Sequence, residues 1–348
     1  MSKEENHHPA VNGQQSAQNE APTTQRLDVV SFFAGCGGLD LGFKGDFSYK
    51  DTSYPALPFN IRAAYELDKH CKTTYEKNLS SPFHLCDLKS ADVGQMPAAD
   101  ILIGGFPCQE FSICGPKGGF TSKRGGLYKA MSRYAKKWQP ALVIAENVSH
   151  LPRLNGGLDL AAIKRSFKNA GYRCALWKLF APDYGIPQAR DRVILIFVRN
   201  DLTVDPMPPP KLFKDSHRSV KWAIQDLQKI KDETVPNQSQ YFKANLAKNG
   251  HGQGDERSPA NAPGYTVRAN AKSRIQFHYS LKRRLTVREC ARLQTFPDSF
   301  AFPHAATENI KQIGNAVPPL LGYVVAAAIA RYVSLPEVRQ KLQKRDGG

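Results

Sequence analysis

A cysteine stands behind a proline in Gly104-Gly105-Phe106-Pro107-Cys108-Gln109-Glu110-Phe111-Ser112, just after the apolar run Ile101-Leu102-Ile103. That run reads as a strand, and the carboxyl end of a strand is where open α/β sheets bind ligands. A thiol displayed there, between proline and polar residues, suits nucleophilic attack better than core packing. Five glycines (115, 118, 119, 125 and 126) follow, with Lys117, Lys123 and Arg124 among them. This is the composition of a glycine-hinged basic lid that closes on phosphates. Glu146-Asn147-Val148 ends the apolar run 142–145. A carboxyl is out of place in such a strand, and partial burial suits it to work as an acid. Gln188-Ala189-Arg190-Asp191-Arg192 precedes the run 193–198 and puts two arginines on alternate positions. That spacing fits contacts to a base oxygen or to phosphates.

A second group of residues points to a nucleoside. Phe32-Phe33-Ala34-Gly35-Cys36-Gly37-Gly38-Leu39-Asp40 follows the first apolar run and opens a helix. Its glycines let backbone pass close to a ligand, but Asp40 occupies the slot of the third glycine in the dinucleotide fingerprint. Glu66 ends the second run, where a carboxylate can accept both ribose hydroxyls. Asp87, in Leu85-Cys86-Asp87, is placed to accept from an adenine amino group. Together these describe an adenosine pocket without a phosphate loop, which favours S-adenosylmethionine over a nucleotide.

The elements that must hold these residues follow from pattern. Apolar runs at 27–33, 61–65, 101–103, 142–145 and 193–198 alternate with helical patterns at 68–78, 127–138 and 158–170. Strands that are apolar throughout predict a parallel sheet covered on both faces, an α/β architecture. Residues 45–60 read as an irregular insertion, and Pro206-Met207-Pro208-Pro209-Pro210 as a stiff linker. From Tyr241 to Arg292 there are eleven Lys or Arg against three Asp or Glu, which predicts a loop-rich basic second domain. Thr286-Val287-Arg288-Glu289 has the form of a capping box, with Arg288 and Arg292 on one helix face. Pro318-Pro319 opens an apolar helix that must be buried.

Composition bounds the function classes. A hydrophobic fraction of 41% fits a folded protein, and no run is long enough to predict a membrane span. The first 25 residues, polar and lacking core formers, read as a disordered tail and not a secretory signal, so a cytoplasmic protein is expected. Seven scattered cysteines without a C-x-x-C pair predict neither disulfides nor structural zinc. The net charge of +17 predicts a polyanionic partner.

In chain order, FAGCGG, PCQ, ENV, QARDR, RECARLQTFP and QIGNAVPP are similar to the ordered motif set of the bacterial-type DNA (cytosine-5) methyltransferases, over about residues 27–332. The resemblance implies a Rossmann-like S-adenosylmethionine-dependent methyltransferase sheet with a smaller target recognition domain. The chain then divides into a tail (1–25), a catalytic region (26–200, completed by 308–335), a recognition region (201–307) and a C-terminal tail (336–348). Phe32, Gly35, Gly37, Glu66, Asp87, Pro107 and Asn315 would bind the cofactor, with S-adenosylhomocysteine the product and no metal used. Cys108 would be the nucleophile, Glu146 would contact N3 and the amino group of cytosine, and Arg192 its O2, with Arg190 beside it. Ser112, Lys123, Arg124, Thr266 and Arg288 would contact DNA. The implied enzyme is monomeric, acts on double-stranded DNA in the bacterial cytosol, and accompanies a cognate restriction endonuclease.

The chemistry accounts for these residue types. C5 of cytosine is a poor nucleophile until a thiolate adds to C6, and Glu146 would neutralise the resulting charge by protonating N3. The base must leave the helical stack to be reached. Two other readings share the residues: an RNA (tRNA) cytosine methyltransferase, and a catalytically silent DNA-binding relative. The basic second region favours duplex DNA, and the intact Pro-Cys and Glu-Asn-Val favour activity.

Overall fold

The computed structural model describes residues 26–107, 126–245, 256–269 and 275–343. Cys108, Ser112, Lys123, Arg124 and the N-terminal 25 residues lie outside the described residues.

The first apolar run forms β1 (Leu27–Phe32), and a tight turn leads into α1 (Gly38–Lys44). A short hairpin, β2 (Phe47–Tyr49) and β3 (Thr52–Tyr54), precedes β4 (Phe59–Glu66), α2 (Lys69–Asn78) and β5 (Phe83–Leu85). Then come β6 (Ile101–Gly104), α3 (Leu127–Trp138), β7 (Leu142–Val148), α4 (Leu158–Lys168), β8 (Tyr172–Phe180), β9 (Gln188–Ala189) and β10 (Asp191–Arg199). The remainder holds α5 (Val220–Ile224), β11 (Gly264–Tyr265), α6 (Val287–Leu293), α7 (Ala306–Asn315), α8 (Pro319–Val333) and α9 (Pro336–Gln343).

Seven strands make the central sheet in the order β5-β4-β1-β6-β7-β10-β8. Because side chains alternate across a strand, each strand feeds both faces. Ile101 and Ile103 pack with Leu321, Val325 and Ile329 of α8, while Leu102 between them packs with Met131 and Tyr134 of α3. Both faces are therefore covered, and the strands are apolar throughout for that reason. The stretch 306–333 is apolar enough to span a membrane by composition, yet 67% of its most apolar window is buried in the fold.

The structure corrects the sequence reading in four places. The sheet is not wholly parallel: β10 runs antiparallel to both β7 and β8. The physical reason is the connection from Phe180 to Asp191, which is too short for the crossover that parallel neighbours need. The insertion at 45–60 is ordered. Phe47 stacks on Tyr54 with centroids 5.0 Å apart, and the buried Tyr49 hydroxyl donates to the Arg292 carbonyl at 2.8 Å. Residues 336–343 are not tail but α9, which buries Val338 and Leu342.

The fourth correction concerns Arg288. The capping box opens α6 as expected, with Thr286 and Glu289 satisfying each other's backbone N–H. Arg288, however, is 0% exposed. Its guanidinium donates to the carbonyls of Pro236, Pro297 and Phe300 at 2.7, 2.8 and 2.7 Å. A side chain held by three carbonyls cannot reach DNA. Its partner on that face, Arg292, is equally occupied by Asp226 and Asp298. Replacing Arg288 by Ala strands three buried acceptors, and a loss of about 3–5 kcal/mol is expected. Thermal denaturation should register it as a fall of roughly 5–10 °C in Tm; an unchanged Tm would contradict the structural role.

Candidate active site

A cleft of about 410 Å³ opens at the carboxyl ends of β1, β4, β6 and β7 and is closed by the end of α7. On one side the chain leaving β1 turns sharply, with Phe33 and Gly35 at φ 56°. A Cβ on Gly35 would meet nothing within 4 Å, so this backbone faces open space. Its N–H donates to Glu66 Oε2 at 3.1 Å, while Glu66 Oε1 accepts from Leu67 and Asp68 at 2.7 and 3.0 Å. Three backbone donors thus aim the Glu66 carboxylate along the cleft rim. Phe32 is fully buried, its ring edge-on to Tyr65 and Tyr134.

Gly37 does not border the cleft. It caps α1 at φ 92°, and a Cβ there would lie 2.4 Å from Leu79, so its role is conformational. Asp87 is exposed beyond β5, holds the Lys89 N–H at 3.0 Å, and also lies outside the cleft lining. Beneath the turn, the buried Asp40 accepts from Ser31 and Tyr75 at 2.6 and 2.7 Å. Burial raises its carboxyl to about 6 against the lowering effect of those two bonds.

The opposite wall comes from the far end of the chain. Asn315 lines it, exposed, and so do Gln312 and Lys311. Lys311 pairs with Asp68 at 2.7 Å and Glu308 at 3.1 Å, fastening α7 to the start of α2. Gln312 is 3% exposed, and neither atom of its amide has a partner among the described residues. A buried amide is rarely left this way unless a ligand or water completes it. The cleft volume, the Glu66 carboxylate and this unpaired amide fit a nucleoside carrying an amino-acid chain. Asp68, Lys311 and Gln312 were missed by sequence reading. Gln312 had a signal, since it precedes Asn315 by three residues and so shares its helix face.

The reacting side lies two strands away. Gly104 leaves no room for a side chain, since a Cβ would sit 2.5 Å from the Phe32 carbonyl. A Cβ on Gly105 would sit 3.3 Å from Glu146 Oε2, so the glycine pair brings backbone close to that carboxylate. Buried Asn147 donates to the Phe106 carbonyl at 3.0 Å and fixes the exit from β6. Pro107 lines the cleft, and Cys108 is the next residue in the chain.

Glu146 and Arg192 meet here on adjacent strands. Arg192 Nε lies 2.7 Å from Glu146 Oε1, with side-chain exposures of 14% and 13%. The N–H does not aim at that oxygen, which accepts no hydrogen bond from any described residue. The contact is an ion pair with an open acceptor.

Arg190 lines the same cleft as this pair. It is 3% exposed and donates to the carbonyls of Val267, Gly314 and Ala316 at 3.4, 3.4 and 3.0 Å. Burial, then the like charge of Arg192, lowers it to about 9. It therefore binds segments of the protein together, yet it also lines the cleft, and its Nε has no partner among the described residues. Thr266 is half-buried and donates to the Ala189 carbonyl at 2.6 Å, beside the pairing of β9 with β11.

The described cysteines compete poorly for the nucleophile's role. Burial pushes Cys36 up to about 12 and Cys174 to about 11, and raises Cys71 and Cys290 as well. Such thiols stay protonated at neutral pH.

Comparison with known proteins bears on the family and the fold. The chain is 33% identical to the Type II methyltransferase M.NgoPII of Neisseria gonorrhoeae, an alignment covering 90% of this chain and 98% of that protein. It is 29% identical to the Type II methyltransferase M.FnuDI of Fusobacterium nucleatum, covering 90% and 99%. Among solved structures, a DNA modification methyltransferase encoded within an E. coli prophage shares the fold. Its TM-score is 0.67 at 22% identity, covering 88% of this chain and 99% of that one. The Dnmt2 methyltransferase of S. pombe superposes with a TM-score of 0.63 at 16% identity, covering 88% and 99%. The sequence model of the C-5 cytosine-specific DNA methylases matches residues 27–331, and the chain belongs to that family.

Proposed function

We propose that the chain methylates C5 of a cytosine within a specific double-stranded DNA sequence through covalent attack by Cys108 on C6. The observation that carries the reading is the Glu146–Arg192 pair. It lies in the cleft that also holds Pro107, and its Glu146 stands on β7, the strand next to the one that leads to Cys108. A cytosine entering between these side chains replaces their mutual contact. Its O2 takes Arg192, and its N3 and amino group take Glu146.

Gly35, Glu66, Asn315 and Gln312 would hold S-adenosylmethionine, with the Glu66 carboxylate on the ribose. When bound, the cofactor supplies an electrophilic methyl group on a sulfonium sulfur. The thiolate of Cys108 forms a bond to C6, and the electron pair displaced from the C5–C6 bond makes the ring enamine-like. Glu146 gives N3 a proton, which keeps that charge from accumulating. Once C5 carries the methyl group, its proton leaves to a base, the C6–S bond breaks, Cys108 departs as thiolate, and N3 returns its proton to Glu146. None of this proceeds in a stacked duplex, so the base is extruded.

The division into a catalytic region (26–200 with 308–335) and a recognition region (201–307) fits this chemistry, since a duplex must lie between the two. Relatives named Type II methyltransferases support a role in restriction-modification; the enzyme would act as a monomer and protect the sites of a cognate endonuclease. The test is a duplex population carrying 5-fluorocytosine. Because fluorine cannot leave C5 as a proton does, enzyme and DNA should remain joined on a denaturing gel when S-adenosylmethionine is present. Absence of any adduct, with ordinary DNA methylated normally, would exclude attack on C6.

A further inference from the structure

A second concavity, about 490 Å³, lies beside the cleft at the same edge of the sheet. The carboxyl end of β8 and the start of β10 form its floor, and the segment 149–153 after β7 forms one side. Arg192 lines both hollows, so the second opens next to the site where the base is held. Its lining carries four cations, Arg153, Lys178, Arg192 and Lys211, against one carboxylate, Asp191.

Two of the four are already committed. Arg192 pairs with Glu146, and Lys211 lies 3.0 Å from the buried Asp183. Arg153 and Lys178 are exposed, and their side chains make no ion pair or hydrogen bond with any described residue. Two unpaired, solvated cations facing one hollow beside the base-binding cleft are free to take an anionic partner from outside. The single carboxylate leaves the hollow net positive, and its cations are spread over the strand ends of β8 and β10 and the segment 149–153, a spacing that suits a continuous backbone.

We propose that this hollow is a phosphate-contact site for the substrate duplex, with Arg153 and Lys178 gripping the backbone next to the extruded cytosine. The proposal rests on the DNA-methylating reading and extends it to a surface outside the recognition region. The contacts carry no sequence information; they fix the register of the duplex, which is the usual task of phosphate contacts.

The test uses the full-length protein, a fluorescent duplex of mixed sequence, and binding measured from 50 to 200 mM salt. The double variant Arg153→Gln/Lys178→Gln should lower the salt slope by about 1.8, at about 0.9 for each phosphate no longer neutralised. Wild type should then gain on the variant by about tenfold as salt falls across that range. Arg331→Gln/Arg339→Gln, two exposed arginines beside the amino ends of β1 and β6, should leave the slope unchanged. The charge-preserving pair Arg153→Lys/Lys178→Arg should also keep it. An unchanged slope in the first variant overturns the proposal, and so does an equal fall in the Arg331/Arg339 control. Binding is read without methyl transfer, and wild-type methylation of plasmid DNA is measured alongside. Failure of this site and failure of the methylation reading are therefore distinguishable.

Discussion

Cys108→Ala is expected to lower methyl transfer by about four orders of magnitude or more while leaving the affinity for S-adenosylhomocysteine within about twofold of wild type. The size follows from the ring. Without addition at C6, C5 has too little electron density to accept a methyl group, and no neighbouring side chain can substitute for a covalent bond. The described cysteines offer no replacement, since burial holds their thiols protonated. Gly35, Glu66, Gln312 and Asn315, which line the same cleft and are proposed to hold the cofactor, are untouched by the change. Incorporation of labelled methyl into plasmid DNA measures the first quantity, and calorimetric titration the second. Residual transfer above about one per cent of wild type would sink the covalent route. A parallel loss of cofactor binding would point to misfolding instead.

Glu146→Gln is expected to reduce the single-turnover rate by about 10²–10⁴-fold, the usual worth of a positioned general acid. The amide keeps the shape of the side chain and can still hold the amino group of a base. It cannot deliver a proton to N3. Stability should change little, because Arg192 stays partly solvated and retains its bond to the Asp191 carbonyl at 2.6 Å. The loss should appear in the chemical step measured with saturating DNA and cofactor, with Tm and cofactor affinity near wild type. A rate within about threefold of wild type would remove Glu146 from proton transfer and leave it a mere anchor for the base.

These two predictions rest on residues that stood out in the sequence for physical reasons. Cys108 and Glu146 follow apolar runs that had to be strands, and strands in a covered sheet present their carboxyl ends to one edge. In the structure Glu146 and Pro107 line one cleft together with Gly35, Glu66 and Asn315. Helices at 69–78, 127–138 and 158–168 matched their periodicity closely, as did the capping box at Thr286. Less legible was the hairpin at 47–54. Its strands are three residues long, and its stability comes from Tyr49 reaching Arg292 and Lys50 reaching Asp226, contacts more than 170 positions distant.

The arginines mark the boundary between the two kinds of information. Arg190, Arg192 and Arg288 look equally available for nucleic acid when read along the chain. Three carbonyls occupy Arg288 away from the cleft and three more hold Arg190 in the cleft wall with only its Nε left over, whereas Arg192 faces Glu146 in that cleft. A charge can serve a ligand only if its neighbours leave it free, and those neighbours come from remote segments such as 236, 267, 300 and 316. Gln312 makes the converse point: unremarkable as a residue type, it gains meaning from burial without a partner. By itself, then, the sequence determined the reaction, the family and the strand-end placement of its chemistry, because local pattern and residue type suffice for these. Only the tertiary structure decided which charges remain free, that β10 reverses the sheet, and that Lys311 and Gln312 close one wall of the cleft, because each depends on contacts between segments that no local pattern connects.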